Sequence, residues 1–370
     1  MGELYIGLMS GTSMDGVDAV IAEFDETRCE IHEAKTTPYP KKLKERTQNL
    51  IEKPTIPLEN LGTLDTALGS FFAQCASDLV KDSNFEFSDI TAIGHHGQTV
   101  LHKPGGPEPF TLQLGNPSAI AAHTGITTVA DFRRLDMALG GQGAPLTPVF
   151  HEWFFKNPDE IRAVVNIGGM ANLTLLHPNR ALSGFDTGPG NTLMDAWNQQ
   201  CTGRPYDANG EWAASGHILG LLLTYLMADP FFAQEPPKST GREYFNLRWL
   251  QAGLAGTEQL KPADVDIQAT LSELTAKTIA NAIRKLGPVA RIILCGGGVH
   301  NAHLVGRLTD CLPSASVESS LEHGINPDWV EATSFAWLAR ARLKGVRGNR
   351  PTVTGARKGA ILGGVYRGGS

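Results

Sequence analysis

The sequence predicts an α/β protein made of two related domains, and three observations carry that prediction. Tyr5–Phe24 and Ala163–Leu176 each read as strand, glycine-bearing polar turn, strand. Helical stripes and short buried strands alternate through most of the remaining chain. The 370 residues suffice for two domains of roughly 100–200 residues each. Two hairpins of one layout, each opening a domain, imply internal duplication, with ligands expected in the cleft between the halves.

Composition narrows the function classes. A net charge of −6 with interspersed signs argues against a nucleic-acid or membrane-surface binder and leaves room for a local anion pocket. The five cysteines are scattered without a Cys-x-x-Cys, which suggests neither a disulfide framework nor a zinc site. With no basic and apolar leader and no run long enough for a bilayer, the expected compartment is the cytoplasm.

In chain order, the first hairpin carries Ser10, Gly11, Thr12, Ser13, Met14, Asp15 and Gly16 at its tip, followed by Val17 and Asp18. Glycines 11 and 16 let the backbone turn sharply, while hydroxyls and amides supply donors for anionic oxygens, as a phosphate requires. No Gly-Lys-Ser/Thr follows and the chain leaves as a strand, so this is not the common P-loop. The residue pattern alone leaves an ordinary Asp-Gly hairpin turn open. Cys29–Pro40 reads as a third strand, Lys41–Lys53 and Leu61–Val80 as helices, and Asp89–Gly94 as a buried strand. It delivers His95, His96 and Gln98 at its C-terminal end, where α/β sheets place ligand contacts. Adjacent strand residues face opposite ways, so the two histidines share no metal and one is structural. A strand Thr127–Ala130 ends at Asp131 and Arg133, and a domain boundary is expected just before the glycine-rich Gly140–Leu146.

The second hairpin holds Asn166, Gly168 and Gly169 at its turn. Phe185-Asp-Thr-Gly-Pro-Gly-Asn191 follows, with Asp186 read in a glycine turn beside Thr187 and Gly188, and Asn191 as N-cap of the next helix. Asp186 then has no capping duty, although a turn-forming Asp bonded to its own backbone remains open. Gln268–Leu286 is an amphipathic helix, and Val289–Leu294 a buried strand. Gly296, Gly297 and Gly298 present backbone amides before a helix capped by Asn301. The dinucleotide fingerprint Gly-x-Gly-x-x-Gly is not matched. Glu331, three residues after Asp328, has the spacing of a capping-box acid. The basic, glycine-rich tail Asn349–Gly369 is expected to pack back onto the first domain.

Three glycine-bearing turns in this order resemble the actin, sugar kinase and heat-shock ATPase superfamily. Met9-Ser-Gly-Thr-Ser-Met-Asp-Gly16, Gly94-His-His-Gly-Gln-Thr99, Asn166-Ile-Gly-Gly169, Phe185–Asn191 and Glu331-Ala332 look specifically like the anhydro-N-acetylmuramic acid kinase family, nearly end to end. The resemblance implies an actin-like ATPase fold, a duplicated ribonuclease H-like arrangement with an interdomain cleft. Residues 1–133 with 347–370 would form one lobe and 134–346 the other. It also implies ATP-dependent opening of a 1,6-anhydro bridge by water with phosphorylation of O6, in cell-wall recycling. Asp186 would be the base and Glu331 an acid near the reacting centre. Ser10 to Asp18, Asn166, Gly168, Gly169, Thr187, Gly188, Gly296, Gly297, Gly298 and Asn301 would bind ATP. Asp15 would act on Mg²⁺ through water, and His96, Gln98, Asp131 and Arg133 would contact the sugar. Arg133 suits the lactyl carboxylate of a muramic acid. A homodimer is suggested by resemblance only. The rivals are a plain hexosamine kinase of the same fold, a nucleotide-gated sensor, and a glycosidase using Asp186 and Glu331, which would leave the phosphate-type turns without purpose.

Overall fold

The computed structural model describes residues 2–11, 14–256 and 262–369. The chain divides into two compact units, Met1–Phe154 with Trp329–Ser370, and Phe155–Asp328. In the first, β1 (Glu3–Met9), β2 (Gly16–Phe24) and β3 (Cys29–Pro38) form an antiparallel meander. β4 (Ile90–His95) then lies parallel to β1. β5 (Gln98–Lys103) and β6 (Phe110–Leu114) make a separate two-stranded ribbon, which the sequence reading does not contain. β7 (Thr128–Ala130) extends the main sheet parallel to β4.

The second unit repeats the plan. β8 (Arg162–Ile167), β9 (Met170–Leu176) and β10 (Ser183–Pro189) are its meander, and β11 (Arg291–Cys295) and β12 (Ser316–Ser319) add in parallel. The strand orders, β3-β2-β1-β4-β7 and β10-β9-β8-β11-β12, are the same. Only the first sheet gains a further edge, β13 (Gly364–Tyr366), antiparallel to β7. This places the tail on the first unit, as its composition led us to expect.

Both sheets are covered by helices, which is why their central strands are apolar without strict alternation. Ile6, Leu8, Val17, Ile21 and Ile93 cluster with Leu64, Leu68 and Phe72 of the helix Leu58–Asp82. Gly7 and Gly94 belong to the contact with the helix Val330–Leu343. A Cβ on Gly7 would stand 1.9 Å from Ala332 O, and one on Gly94 2.0 Å from Phe335 O, so helix backbone lies directly on strand backbone. In the second unit, Val165, Leu173, Phe185, Ile292 and Leu294 cluster with Leu271, Leu274 and Ile279 of the helix Asp264–Leu286.

The division between units falls elsewhere than the expected boundaries at 133/134 and 346/347. Gly143 explains the first difference. Its N–H donates to Asp136 Oδ2 at 2.8 Å and its carbonyl accepts from Arg133 Nη1 at 2.8 Å. Asp136, fully buried, also accepts from Asn349 Nδ2 (2.5 Å) and Thr354 Oγ1 (2.7 Å). The glycine-rich segment is thus fastened inside the first unit. The packing of Val330–Leu343 on β1 and β4 explains the second difference, and carries Glu331 into that unit.

Candidate active site

In each sheet the singled-out residues gather at the C-terminal ends of parallel strands, a consequence of register. β1 and β4 pair Leu8 with His95, so the hairpin tip after Met9 and the His96–Gln98 segment leave the same edge of the first sheet. β7 adds Asp131 and Arg133 there. In the second sheet β8 and β11 pair Asn166 with Cys295, so the Gly168 and Gly296 turns emerge together.

At the first tip, Thr12 and Ser13 lie outside the described residues. Ser10 is buried, and its Oγ donates to Gln98 Oε1 at 2.6 Å. The Tyr39 hydroxyl stands 2.8 Å from Ser10 Oγ and 3.1 Å from Gln98 Oε1. Gln98 Nε2 donates to Thr99 O at 3.2 Å. Gln98, expected at the sugar, is therefore fully buried and spends its amide on holding the tip. Met14 turns the chain at φ 54° with its side chain in the core, where Val17 also lies, so neither presents its side chain to solvent. Gly16 has no room for a Cβ, which would meet Thr36 Cγ2 at 2.5 Å. Asp15 is exposed, 3.9 Å from Lys44 Nζ. Asp18 accepts from Thr36 Oγ1 across the strand pair at 2.6 Å.

The histidine pair divides as strand geometry requires. His95 Nε2 is 2.8 Å from Gly115 O and its ring lies against Phe72; burial pulls its pKa down to about 4. His96 Nε2 accepts from Arg133 Nε (3.0 Å) and lies 2.9 Å from Nη2, with its ring 4.6 Å from Phe335. Burial, then the Arg133 charge, hold His96 neutral with a pKa well below the ordinary value. Arg133, expected on a carboxylate, thus has its fork turned onto His96 and Gly143. Asp131 adopts φ 59°, in the left-handed region that is uncommon for residues other than glycine and in which aspartate is among the better tolerated. Burial raises its pKa, opposed by Arg134.

Glu331, half-buried, lies in the first turn of Val330–Leu343. The capping-box reading is corrected here. Trp329, not Asp328, occupies the N-cap position and no side chain caps the helix, while the Asp328 carboxylate meets His300 Nε2 at 2.8 Å.

In the second unit the turns are fastened by backbone. Gly190 N–H and Thr192 N–H donate to Gly169 O, and Asn191 N–H to Gly168 O, at 2.8–3.1 Å. Asn191 stands at the N-cap position without a side-chain cap; its Nδ2 donates to Ile167 O at 3.3 Å. Asn301 does cap its helix, accepting from Leu304 N at 3.0 Å. Gly296 adopts φ 79°, and a Cβ there would stand 2.2 Å from Asn166 Oδ1. That Oδ1 is buried and has no hydrogen-bond partner. A glycine cradle beside an orphaned acceptor fits a ligand that carries donors, as an adenine or ribose does.

Asp186 lies within β10, not in a glycine turn. The register with β9 slips between Asp186 and Gly188, a bulge of the kind that re-aims side chains beside active sites. Thr187 turns inward and donates to Ala171 O at 3.2 Å, and Gly188, at φ 145°, leaves space for Phe232. Asp186 is 8 % exposed; its N–H donates to Lys238 O at 3.1 Å and its Oδ2 accepts from Thr240 N at 2.9 Å. The self-bonded turn reading therefore does not hold for this oxygen. Tyr39, Lys238 and Thr240 are absent from the sequence-derived set. A tyrosine between prolines and a lysine after two prolines carry no chemical signature of their own.

Two sheets of one repeated strand order, with glycine turns at one edge of each and a bulged acid in the second, form the framework of the candidate site. Comparison with known proteins gives the family. The family model for anhydro-N-acetylmuramic acid kinase matches residues 3–368. Anhydro-N-acetylmuramic acid kinases of Coxiella burnetii strains Dugway 5J108-111 and RSA 493 / Nine Mile phase I are each 50 % identical over 369 residues, 99 % of this chain and 98 % of theirs. The chain belongs to the anhydro-N-acetylmuramic acid kinase family, and is an ATP-using carbohydrate kinase. Among solved structures, component A of the Acidaminococcus fermentans (R)-2-hydroxyglutaryl-CoA dehydratase aligns with TM-score 0.49 and 11 % identity, covering 92 % of this chain and 99 % of that one. A ROK family glucokinase from Streptomyces griseus, in complex with glucose and AMPPNP, aligns at 0.41 and 13 %, covering 91 % and 99 %.

Proposed function

We propose that this chain opens the 1,6-anhydro bridge of 1,6-anhydro-N-acetylmuramic acid with water and phosphorylates O6, giving N-acetylmuramic acid 6-phosphate in peptidoglycan recycling. The family match over residues 3–368 carries the reaction. The bulged Asp186 supports its assignment within this chain.

Asp186 takes a proton from water as the water oxygen bonds to C1. The C1–O6 bond breaks, O6 receives the γ-phosphoryl group, and the oxygen between the β- and γ-phosphorus atoms of ATP leaves on ADP. A positioned base of this kind contributes on the order of 10²–10⁴-fold. The fixed Oδ2 suits the role, because a carboxylate held by a backbone N–H keeps one geometry. Glu331 is assigned to orienting the sugar, with His96, Asp131 and Arg133 as further contacts. Arg133 would reach a carboxylate only by exchanging its bond to His96 or Gly143. The segments Ser10–Gly16, Gly168–Gly169, Thr187–Gly188 and Gly296–Gly298 are assigned to ATP, although the Met14 and Gly296 N–H groups already donate to Gly11 O and Pro327 O. Mg²⁺, when bound, neutralises phosphate charge, and exposed Asp15 suits contact through water.

No helix among the described residues is long and apolar enough to cross a membrane. The cytoplasm and a homodimer complete the reading, the first on five scattered cysteines without a Cys-x-x-Cys, the second on family likeness alone. The decisive experiment supplies anhydro sugar and ATP in ¹⁸O-water. Label at C1 of the phosphorylated product is expected; phosphorylation without label would make the chain a plain hexosamine kinase.

A further inference from the structure

Lys238 is only 8 % exposed, although it lies on a segment without regular structure. Lysines are rarely buried unless their charge is answered. Here Nζ donates to Phe231 O at 2.9 Å and lies 4.6 Å from the Phe231 ring centroid and 5.8 Å from that of Phe185, the residue preceding Asp186. A carbonyl and two aromatic faces offset part of the ammonium's desolvation. The charged groups around it are Lys285, whose Nζ reaches Phe232 O at 3.4 Å, Glu235 and Asp186 itself. Burial and then Lys285 lower the proton affinity of Lys238, while Glu235 and Asp186 sustain it.

The same segment holds Asp186 twice through its backbone, by Lys238 O on the Asp186 N–H and by the Thr240 N–H on Oδ2. We propose that Lys238 is a positioning residue for Asp186: its buried side chain, anchored on Phe231 O, seats residues 238–240 against β10, so that their backbone holds the Asp186 N–H and Oδ2. The proposal rests on Asp186 being the base. Lys238 acts through that carboxylate, which separates its role from simple packing. A packing residue would change how much folded enzyme there is, whereas a residue whose charge interacts with the base also changes the pH at which the base works.

The test is the pH dependence of kcat for wild type, Lys238→Gln, Lys238→Met and Lys238→Arg, each checked for folding by thermal melting. Gln keeps a donor for Phe231 O without charge, Met keeps the fill without charge, and Arg keeps charge. Losing a nearby cation raises a carboxylate's pKa, so the acid limb moves to higher pH in the neutral variants, on the order of half a unit to one unit. Lys238→Arg returns the limb towards its wild-type position, and KM for the sugar changes less than kcat. If the limbs of whichever neutral variant remains folded and of wild type superimpose, the proposal is overturned. Asp186→Asn separates the two readings. Retained turnover there removes the base assignment itself, whereas an inactive Asp186→Asn with an unshifted Lys238→Gln limb overturns only the role of Lys238.

Discussion

The two units use one strand order and fasten their glycine-bearing turns with a different balance of side-chain and main-chain bonds. In the second, the turn after β8 is locked by main-chain bonds from residues 190–192, so glycine is what the site demands. In the first, the tip after β1 is held by side chains, Ser10 to Gln98 with Tyr39 beside both. A backbone lock tolerates neighbouring substitutions while the glycines remain. A side-chain lock concentrates the burden on three polar groups that are dispersed in sequence and almost fully buried. Duplicated architecture therefore does not imply duplicated engineering.

The largest expected effect tests the catalytic half of that contrast. Asp186→Asn should lower turnover by on the order of 10²–10⁴-fold with nucleotide affinity nearly unchanged; a variant with most of its activity would return the acid to a structural role. Next is Gly94→Val, which would drive a side chain into Phe335 O and should cost about 3–5 kcal/mol, read by denaturant unfolding. A small loss would mean that the helix Val330–Leu343 can lift from β4. The third effect lies in pH. His95, neutral with a pKa of about 4, gives way in acid because the unfolded chain takes up a proton first. Its contribution is complete above about pH 6.5 and is lost down to about pH 4, up to about 3 kcal/mol in all. His95→Gln, able to donate to Gly115 O, should flatten that dependence. Smallest is Tyr39→Phe, expected to cost about 0.5–1.5 kcal/mol and to raise KM for ATP more than it lowers kcat. No change in either would show that Ser10 and Gln98 suffice to hold the tip.

Elements were legible where the chemistry is local. The strands around the first tip, the helix Asp264–Leu286 and the Asn301 cap follow from periodicity and turn chemistry that a short window contains. Asp186 was legible as an unusual acid but not as a bulged strand residue, because the bulge depends on its register with β9. The capping-box alternative for Asp328 and Glu331 fails on a contact that spacing does not contain: His300, distant in sequence, takes the Asp328 carboxylate, and Trp329 stands at the N-cap. Tyr39 reaches Ser10 and Gln98, and Lys238 and Thr240 reach Asp186, through contacts 29 to 59 residues away in sequence, and nothing in the residues themselves announces them. The late boundary at 154/155 was hidden because the Gly140–Leu146 composition suits a linker, while its bonds to Asp136 and Arg133 bind it in place.

The buried Asp136 carboxylate binds Asn349 and Thr354, which lie 213 and 218 positions further along the chain. During synthesis, then, the second unit, a continuous run from Phe155 to Asp328, is fully available while the first still waits for the helix Val330–Leu343 and the edge strand β13. The unit translated first is the one completed last. Until the final forty or so residues emerge, β1 and β4 expose the bare backbone at Gly7 and Gly94 that the arriving helix will cover, so the nascent chain's window of vulnerability lies at its beginning and is closed by its end.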